Sequence, residues 1–391
     1  MENKKKSPIK KKLIIGIFIL ITVLLAWQLI FGIAGVEARQ DLRMTDTTVS
    51  LYYSFDMQVG FHSSGGRNFF YSTRDGIQNI ATNGERRWQE GFTITRPILT
   101  GRGDMVAVGE EGGRSIYVFN SSGLLYVADL PYPALYYTVN PRGYLSVIMR
   151  TDSGYFVQSF NPANPDDYAF SYRAPLNDNL VFPFSIDVSH CGTYIVKALL
   201  DLNGLTFSRL TFSLVRRIDS RGVADGLFAA YDFPGELIAH TRFTACGLLV
   251  VVTDQRILGF RTDTQGYLWS VPFYNRPDEL YVGENGFAFV AGEPFLNQPN
   301  ADNPGLLRMY NFDGDLTGSY DLGRRATHLS MAHNAVLVGT ERTFYAISIH
   351  GIRLWTYTAT QDVQQMLFLE NTDIILQAGG TRATVLRRTR Q

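Results

Sequence analysis

The chain of 391 residues carries 36 basic and 36 acidic side chains, a formal net charge of zero. The balance is uneven. Residues 1–12 hold six lysines and one glutamate (+5), which leaves 30 basic against 35 acidic residues, or −5, for the remainder. A mildly acidic body offers no electrostatic case for binding nucleic acid.

Residues 1–12 (MENKKKSPIKKK) read as a basic cytoplasmic tail. Leu13 to Val36 then run 24 residues without a charge, and a membrane helix needs about 20. Lysines on the amino side place that end in the cytoplasm and everything after residue 36 outside the cell. The alternative is a cleaved signal peptide with Val36-Glu37-Ala38 as its cleavage box, although a signal apolar region usually has about 7–15 residues. No cysteine lies near residue 36 to carry lipid. Residues 37–46 are a polar linker whose extended reach is at most about 35 Å, so the domain over residues 47–391 is expected to stay near the bilayer. Thr47 to Phe55 (TTVSLYYSF) alternates like a strand but precedes any complete unit.

From there a register repeats. A small residue opens an apolar strand at Gly66, Gly103, Gly143, Gly192, Gly247, Gly286, Ala335 and Asp373, at spacings of 37, 40, 49, 55, 39, 49 and 38 residues. Within one unit, Val336–Gly339, Phe344–Ile349 and Ile352–Tyr357 read as three short strands split by polar turns. Eight occurrences near a period of about 40 predict an all-β propeller of eight four-stranded blades, with seven as runner-up, preceded by one transmembrane helix. A sandwich pair or a β-helix fits the recurring register less well. The last unit, Met366 to Arg387, supplies three strands, so Thr47–Phe55 is expected to add the fourth and close the ring.

Gly84-Glu85-Arg86-Arg87-Trp88 and Gly351-Ile352-Arg353-Leu354-Trp355 share a Gly-x-x-x-Trp pattern, and Gly266-Tyr267-Leu268-Trp269 is one residue shorter. In these motifs the chain resembles the quinoprotein-like (PQQ-repeat) β-propellers. The resemblance implies that Trp88, Trp269 and Trp355 each dock against the neighbouring blade. Tyr126, Tyr168 and Tyr320 stand roughly where other blades would carry the indole. The chain also resembles an uncharacterised Gram-positive family of single-span, membrane-anchored propeller proteins. The adjacent cysteines with which catalytic quinoproteins contact their cofactor are missing, and no cofactor is expected.

Cys191 and Cys246 each precede a repeat glycine in consecutive blades. A disulfide between them requires Cα atoms within about 7 Å; the alternative is two separate buried thiols. None of the six histidines has the spacing of a zinc site, and no metal is expected; His190 and His333 share a register position, which reads as two turn histidines. Thr262-x-Thr264-x-Gly266-x-x-Trp269 approaches a sialidase-type box but lacks its Asp. The acid pairs Glu110-Glu111, Asp166-Asp167 and Asp278-Glu279 read as solvated turns rather than as acid–base machinery.

Blade-to-blade connections share a side with the loops between second and third strands. Tyr132, Tyr274, Arg276, Arg324 and Arg325 fall in such connections, and residues 293–305 (EPFLNQPNADNPG), with prolines at 294, 299 and 304, form a long exposed loop there. Tyrosine and arginine are favoured at binding hot spots. The expectation is a non-enzymatic envelope protein on this face, with an envelope protein or a cell-wall glycan as partner. The alternative is a hydrolase or lyase with its site in the central channel.

Overall fold

A computed structural model of the protein describes residues 44–53, 59–152, 154–174, 181–202, 207–214, 227–261, 266–296 and 298–388. The readings for residues 1–12, for the apolar run 13–36 and for most of the 37–46 linker lie outside them. No helix among the described residues is long and apolar enough to cross a membrane.

The repeat residues, glycine in six blades and Ala335 and Asp373 in the last two, mark the entry to the second strand of each blade. Blade 1 runs β2 (Gly60–Ser63), β3 (Asn68–Thr73), β4 (Gly76–Ala81) and β5 (Arg86–Gly91); blade 2 runs β6 (Pro97–Arg102), β7 (Met105–Glu110), β8 (Ser115–Asn120) and β9 (Gly123–Asp129). Blade 3 is β10 (Ala134–Val139), β11 (Leu145–Thr151), β12 (Gly154–Asn161) and β13 (Asn164–Ala174); blade 4 is β14 (Val181–Val188), β15 (Tyr194–Asp201), β16 (Phe207–Leu214) and β17 (Leu227–Pro234). Blade 5 is β18 (Ile238–Phe243), β19 (Leu248–Thr253), β20 (Arg256–Arg261) and β21 (Tyr267–Pro272); blade 6 is β22 (Asn275–Val282), β23 (Phe287–Pro294), β24 (Leu306–Tyr310) and β25 (Leu316–Asp321). Blade 7 is β26 (His328–Ala332), β27 (Ala335–Thr340), β28 (Thr343–Ser348) and β29 (Arg353–Thr358).

Blade 8 takes β30 (Gln365–Phe368), β31 (Ile374–Gly379) and β32 (Arg382–Arg388) from one end of the domain and β1 (Met44–Tyr52) from the other. β1 lies antiparallel to β32 with Val49 opposite Val385 and Leu51 opposite Ala383. The closing strand is therefore the one expected from TTVSLYYSF, starting three residues earlier. All eight sheets are four-stranded and antiparallel, seven of them simple meanders, so the ring has eight blades.

The core sits between blades. The described residues form eight buried apolar clusters, one at each junction. Val196, Leu210, Phe243 and Leu258 join blades 4 and 5, for example, and Phe69, Ile80, Leu376 and Val385 join blades 8 and 1. The second strands supply much of it: Leu248–Thr253, Ala335–Thr340 and Ile374–Gly379 are buried at every position. A strand covered on both faces loses the period-2 alternation and reads as an unbroken apolar run.

The tryptophans sit on outer strands and reach sideways. Trp88 Nε1 donates to the carbonyl of Ser121 in blade 2 (2.8 Å), Trp269 Nε1 to Phe312 in blade 6 (2.9 Å) and Trp355 Nε1 to Thr372 in blade 8 (2.7 Å). Tyr126 in blade 2 donates its hydroxyl to Gly143 of blade 3 (2.6 Å), a phenol in the indole's place. Trp269 also needs room inside its own blade: a Cβ on Gly259, its partner across the strands, would come within 2.2 Å of the indole ring. Blade 6 has no such ring. Its Gly318 lies against the backbone of His350 and Gly351 in blade 7, where a Cβ would clash at 2.4 Å.

The turn histidine His333 and its neighbour Asn334 hold φ of 52° and 59° in the two-residue turn between β26 and β27, a left-handed pair that His and Asn tolerate better than most residues. Cys191 and Cys246 are free and exposed. Neither the disulfide nor the buried-thiol reading holds. Each lies in the turn between the first and second strands of its own blade. Each sulfur is held there, Sγ of Cys191 at 3.3 Å from Ser189 Oγ and Sγ of Cys246 at 3.0 Å from Thr244 Oγ1.

Candidate functional site

Two concave regions stand out, on different parts of the ring. The larger is a cleft of about 1000 Å³ between blades 5 and 6. Its cause lies in β22. Pro277 and its neighbours throw two register shifts into the pairing with β23, at Asn275/Pro277 and Pro277/Glu279, as expected where a residue without an N–H enters a ladder. Every other neighbouring pair of inner strands packs closely, whereas β18 and β22 come together less closely. The gap between them is the cleft.

Its floor is apolar: Val252, Phe273, Leu280 and Phe295, with Phe273 edge-on to Phe289 at 5.1 Å. One wall is polar and fixed. Arg256 forks onto Glu236 at 3.0 and 2.5 Å, and Glu236 also accepts from Thr253 Oγ1 at 3.1 Å. The other wall holds Tyr274 and Arg276. Tyr274 is half-buried and Arg276 is exposed; the Arg276 side chain makes no ion pair with the described residues.

The long loop after β23 forms the lip. Asn275 pins it, donating to the carbonyls of Gly292 (2.7 Å) and Asp302 (3.0 Å) and accepting from the Asp302 amide (2.8 Å). Asp302 in turn binds Arg308. On this anchored loop Leu296 is 91% exposed, a large apolar side chain held in water beside the cleft.

The five sequence-derived binding residues therefore separate. Tyr274 and Arg276 share the cleft. Arg324 is exposed, and its backbone meets Gly305 at the base of the same loop. Arg325 is already engaged: it forks onto Asp278 at 3.0 and 2.6 Å and lies 3.5 Å from Glu293. Tyr132 lies three blades away round the ring, where it packs edge-on against Phe156 at 5.9 Å. Asp278 and Glu279 are on β22 and not in a solvated turn; burial pushes the Glu279 carboxyl above its usual range.

The second region is the central channel, the place of the alternative hydrolase or lyase site, to which the sequence assigned no residues. Alternate residues of the inner strands meet there: His62 of β2, Arg102 of β6, Tyr136 of β10, Asp187 of β14, His240 and Arg242 of β18, and Tyr281 of β22. Arg102 contacts both Asp187 oxygens at 3.1 and 3.0 Å and donates to the Phe243 carbonyl. Asp187 also accepts the amides of Val188 (2.9 Å) and Phe243 (2.7 Å). Both partners of this ion pair are buried. Burial pushes His62 down to about 4, although the Gly103 carbonyl at 2.9 Å favours its charge. Burial and then Arg242 push His240 down to about 4. Burial and Asp187 push Tyr136 up to about 12. Burial and then Arg102 hold Arg242 below its ordinary range. A usable signal was present in the sequence: the inner strand is the stretch just before each repeat glycine, and His240-Thr241-Arg242 has two ionisable residues at strand period there.

No group of three or more His, Cys, Asp or Glu among the described residues is arranged to hold a metal ion.

An all-β ring of eight four-stranded blades, with an indole or phenol bridging several blade junctions, defines an eight-bladed β-propeller. Residues 46–384 match a family of unknown function, DUF5711, and the chain belongs to that family. No curated protein matches it in sequence. Among solved structures it is similar to BamB from Moraxella catarrhalis, at 10% identity and a TM-score of 0.52, covering 88% of this chain and 99% of that one. It is also similar to the C-terminal WD40 domain of Sif2, at 11% identity and a TM-score of 0.58, covering 89% and 99%. At such identities the likeness is one of fold.

Proposed function

We propose that this propeller is a non-enzymatic binding module of the cell envelope, tethered by the apolar run at residues 13–36, with residues 1–12 in the cytoplasm and the ring outside. Its outer-strand tryptophans support a quinoprotein-like repeat, and the uncharged apolar run at residues 13–36 supports the single-span, Gram-positive family reading. The partner is a protein segment that enters the cleft between blades 5 and 6. One observation carries this: a cleft of about 1000 Å³ has an apolar floor, an uncommitted Arg276 on its wall and an exposed Leu296 on its lip. Apolar side chains can seat on Phe273, Leu280 and Phe295 while Arg276 meets a carboxylate. A glycan would prefer an open aromatic platform, whereas Tyr274 is half-buried.

The channel favours the enzyme reading in one respect, since titratable groups converge there. The acid–base capacity of two of them is already in use. Asp187 is saturated by Arg102 and two amides, and His62 Nε2 is hydrogen-bonded to a carbonyl. Binding is the better account.

The test uses the full chain in its own membrane, with a photo-crosslinking residue replacing Leu296. Tyr274→Ala with Arg276→Ala should abolish the crosslinked adduct while thermal unfolding stays nearly unchanged; truncated hot-spot residues typically cost about 2 kcal/mol or more of binding. An unaltered adduct overturns the cleft assignment and moves attention to the opposite face, with Cys191, Cys246 and His333. Competition by soluble wall fragments would replace the protein partner with a glycan. Protease added to intact protoplasts should digest the ring, and protection until lysis would refute the orientation.

A further inference from the structure

The channel contains a charge that its own side chains do not balance. Arg102 and Asp187 neutralise each other at 3.0 Å. Arg242, two residues along β18 from His240, has the Tyr281 hydroxyl and the already paired Asp187 as favourable neighbours and Arg102 as a repelling one. The imidazoles of His62 and His240 are neutral near pH 7, so they add no charge to offset it. Of the other carboxylates, Asp104 is in the turn after β6 and near His62, and Glu284, in the turn after β22, is exposed and lines the mouth of the cavity described next.

Arg242 is half-buried, and a guanidinium partly withdrawn from water without a counter-charge of its own is costly. Here it faces space. Arg242, Tyr281 and Ser330 line one cavity of about 210 Å³ at the channel end nearest the turns between first and second strands. The Ser330 hydroxyl oxygen is buried and has no hydrogen-bond partner, and an orphaned buried hydroxyl calls for explanation. An arginine fork with two hydroxyls suits an oxyanion with several acceptor oxygens. The volume restricts it to a few heavy atoms with their water.

We propose that this cavity is a binding site for a small oxyanion, a phosphate or a carboxylate, held by Arg242 with Tyr281 and Ser330. The anion supplies the missing counter-charge and ties β18, β22 and β26 together across the junction where the inner strands are most open. The site is separate from the cleft and does not depend on the partner proposed for it.

The experiment titrates the purified protein with inorganic phosphate, sulfate and acetate, each against chloride at matched ionic strength. It follows heat of binding and the imidazole signals of His62 and His240. Phosphate or acetate should bind the unaltered protein and raise the pH at which those imidazoles titrate, since an anion nearby favours their charged form. Arg242→Gln should weaken binding at least about tenfold, the loss expected for a hydrogen bond to a charged group. In anion-free buffer the same variant should unfold no earlier than the unaltered protein, because it removes an unbalanced charge. Arg242→Lys should keep part of the affinity. If none of the three anions binds, or if Arg242→Gln binds equally well, the proposal fails. A variant that unfolds early in anion-free buffer makes Arg242 a structural residue and overturns it too. Preference for phosphate over acetate would point to a phosphate source, and the reverse to a carboxylate.

Discussion

Acid should loosen this ring through two imidazoles. His62 and His240 titrate at about 4 in the folded protein against an ordinary 6.5. The unfolded chain therefore binds protons that the folded chain refuses across the window between those values. Stability from this source is complete above about pH 6.5 and drains away as the pH falls towards 4. The gap corresponds to about 3.4 kcal/mol per imidazole once the pH is well below 4, and about 2 kcal/mol each at about pH 5. Urea unfolding at about pH 7.5 and about pH 5 should show a loss of about 4 kcal/mol from the pair, on top of whatever the carboxylates contribute. In a variant carrying His62→Gln and His240→Gln that portion should vanish. Proton NMR of the two rings checks the cause directly, with both titrating near 4. Equal acid losses in the two proteins, or ring titrations near 6.5, would refute the reasoning.

Two further outcomes follow from the packing. Trp355→Phe removes the indole donor at 2.7 Å from Thr372 but keeps most of the buried ring; orphaning that carbonyl should cost about 1–3 kcal/mol, read by denaturant midpoint, with hydrogen exchange rising first at the junction of blades 7 and 8. Arg102→Met leaves Asp187 buried beside two amides without its cation, a change that typically costs about 3–5 kcal/mol and should appear as a lower melting temperature at neutral pH that recovers partly in acid.

The ring was legible because its signal repeats. The glycines at 103, 143, 192 and 247 recur before unbroken apolar runs such as Leu248–Thr253, since a strand covered on both faces must be apolar at every position. Trp355 marked an outer strand for a similar reason: each such indole serves one junction. The site was less legible. Tyr274, Arg276 and the loop after β23 could be placed on one side from connectivity alone, but their meeting depends on the bulges around Pro277, which periodicity cannot foresee. Tyr132 and Arg325 had the right residue types and different neighbours, Phe156 for one and Asp278 for the other. The channel cluster escaped because, apart from His240 and Arg242 on one strand, its members lie on inner strands 34 to 219 residues apart in sequence, about a blade or more from one another.

The pairing of β1 with β32 also sets a timetable. In synthesis Met44–Tyr52 emerges before every other strand of the ring and Arg382–Arg388 after them, so the first strand must wait through nearly the whole ring for its only neighbour. During that interval it is a free edge, rich in Thr, Val and Tyr, of the kind that recruits other strands. Seven blades can stack while the eighth has only its first strand. Completing the circle is then a single late event, and it sets when the nascent chain stops being vulnerable to mispairing.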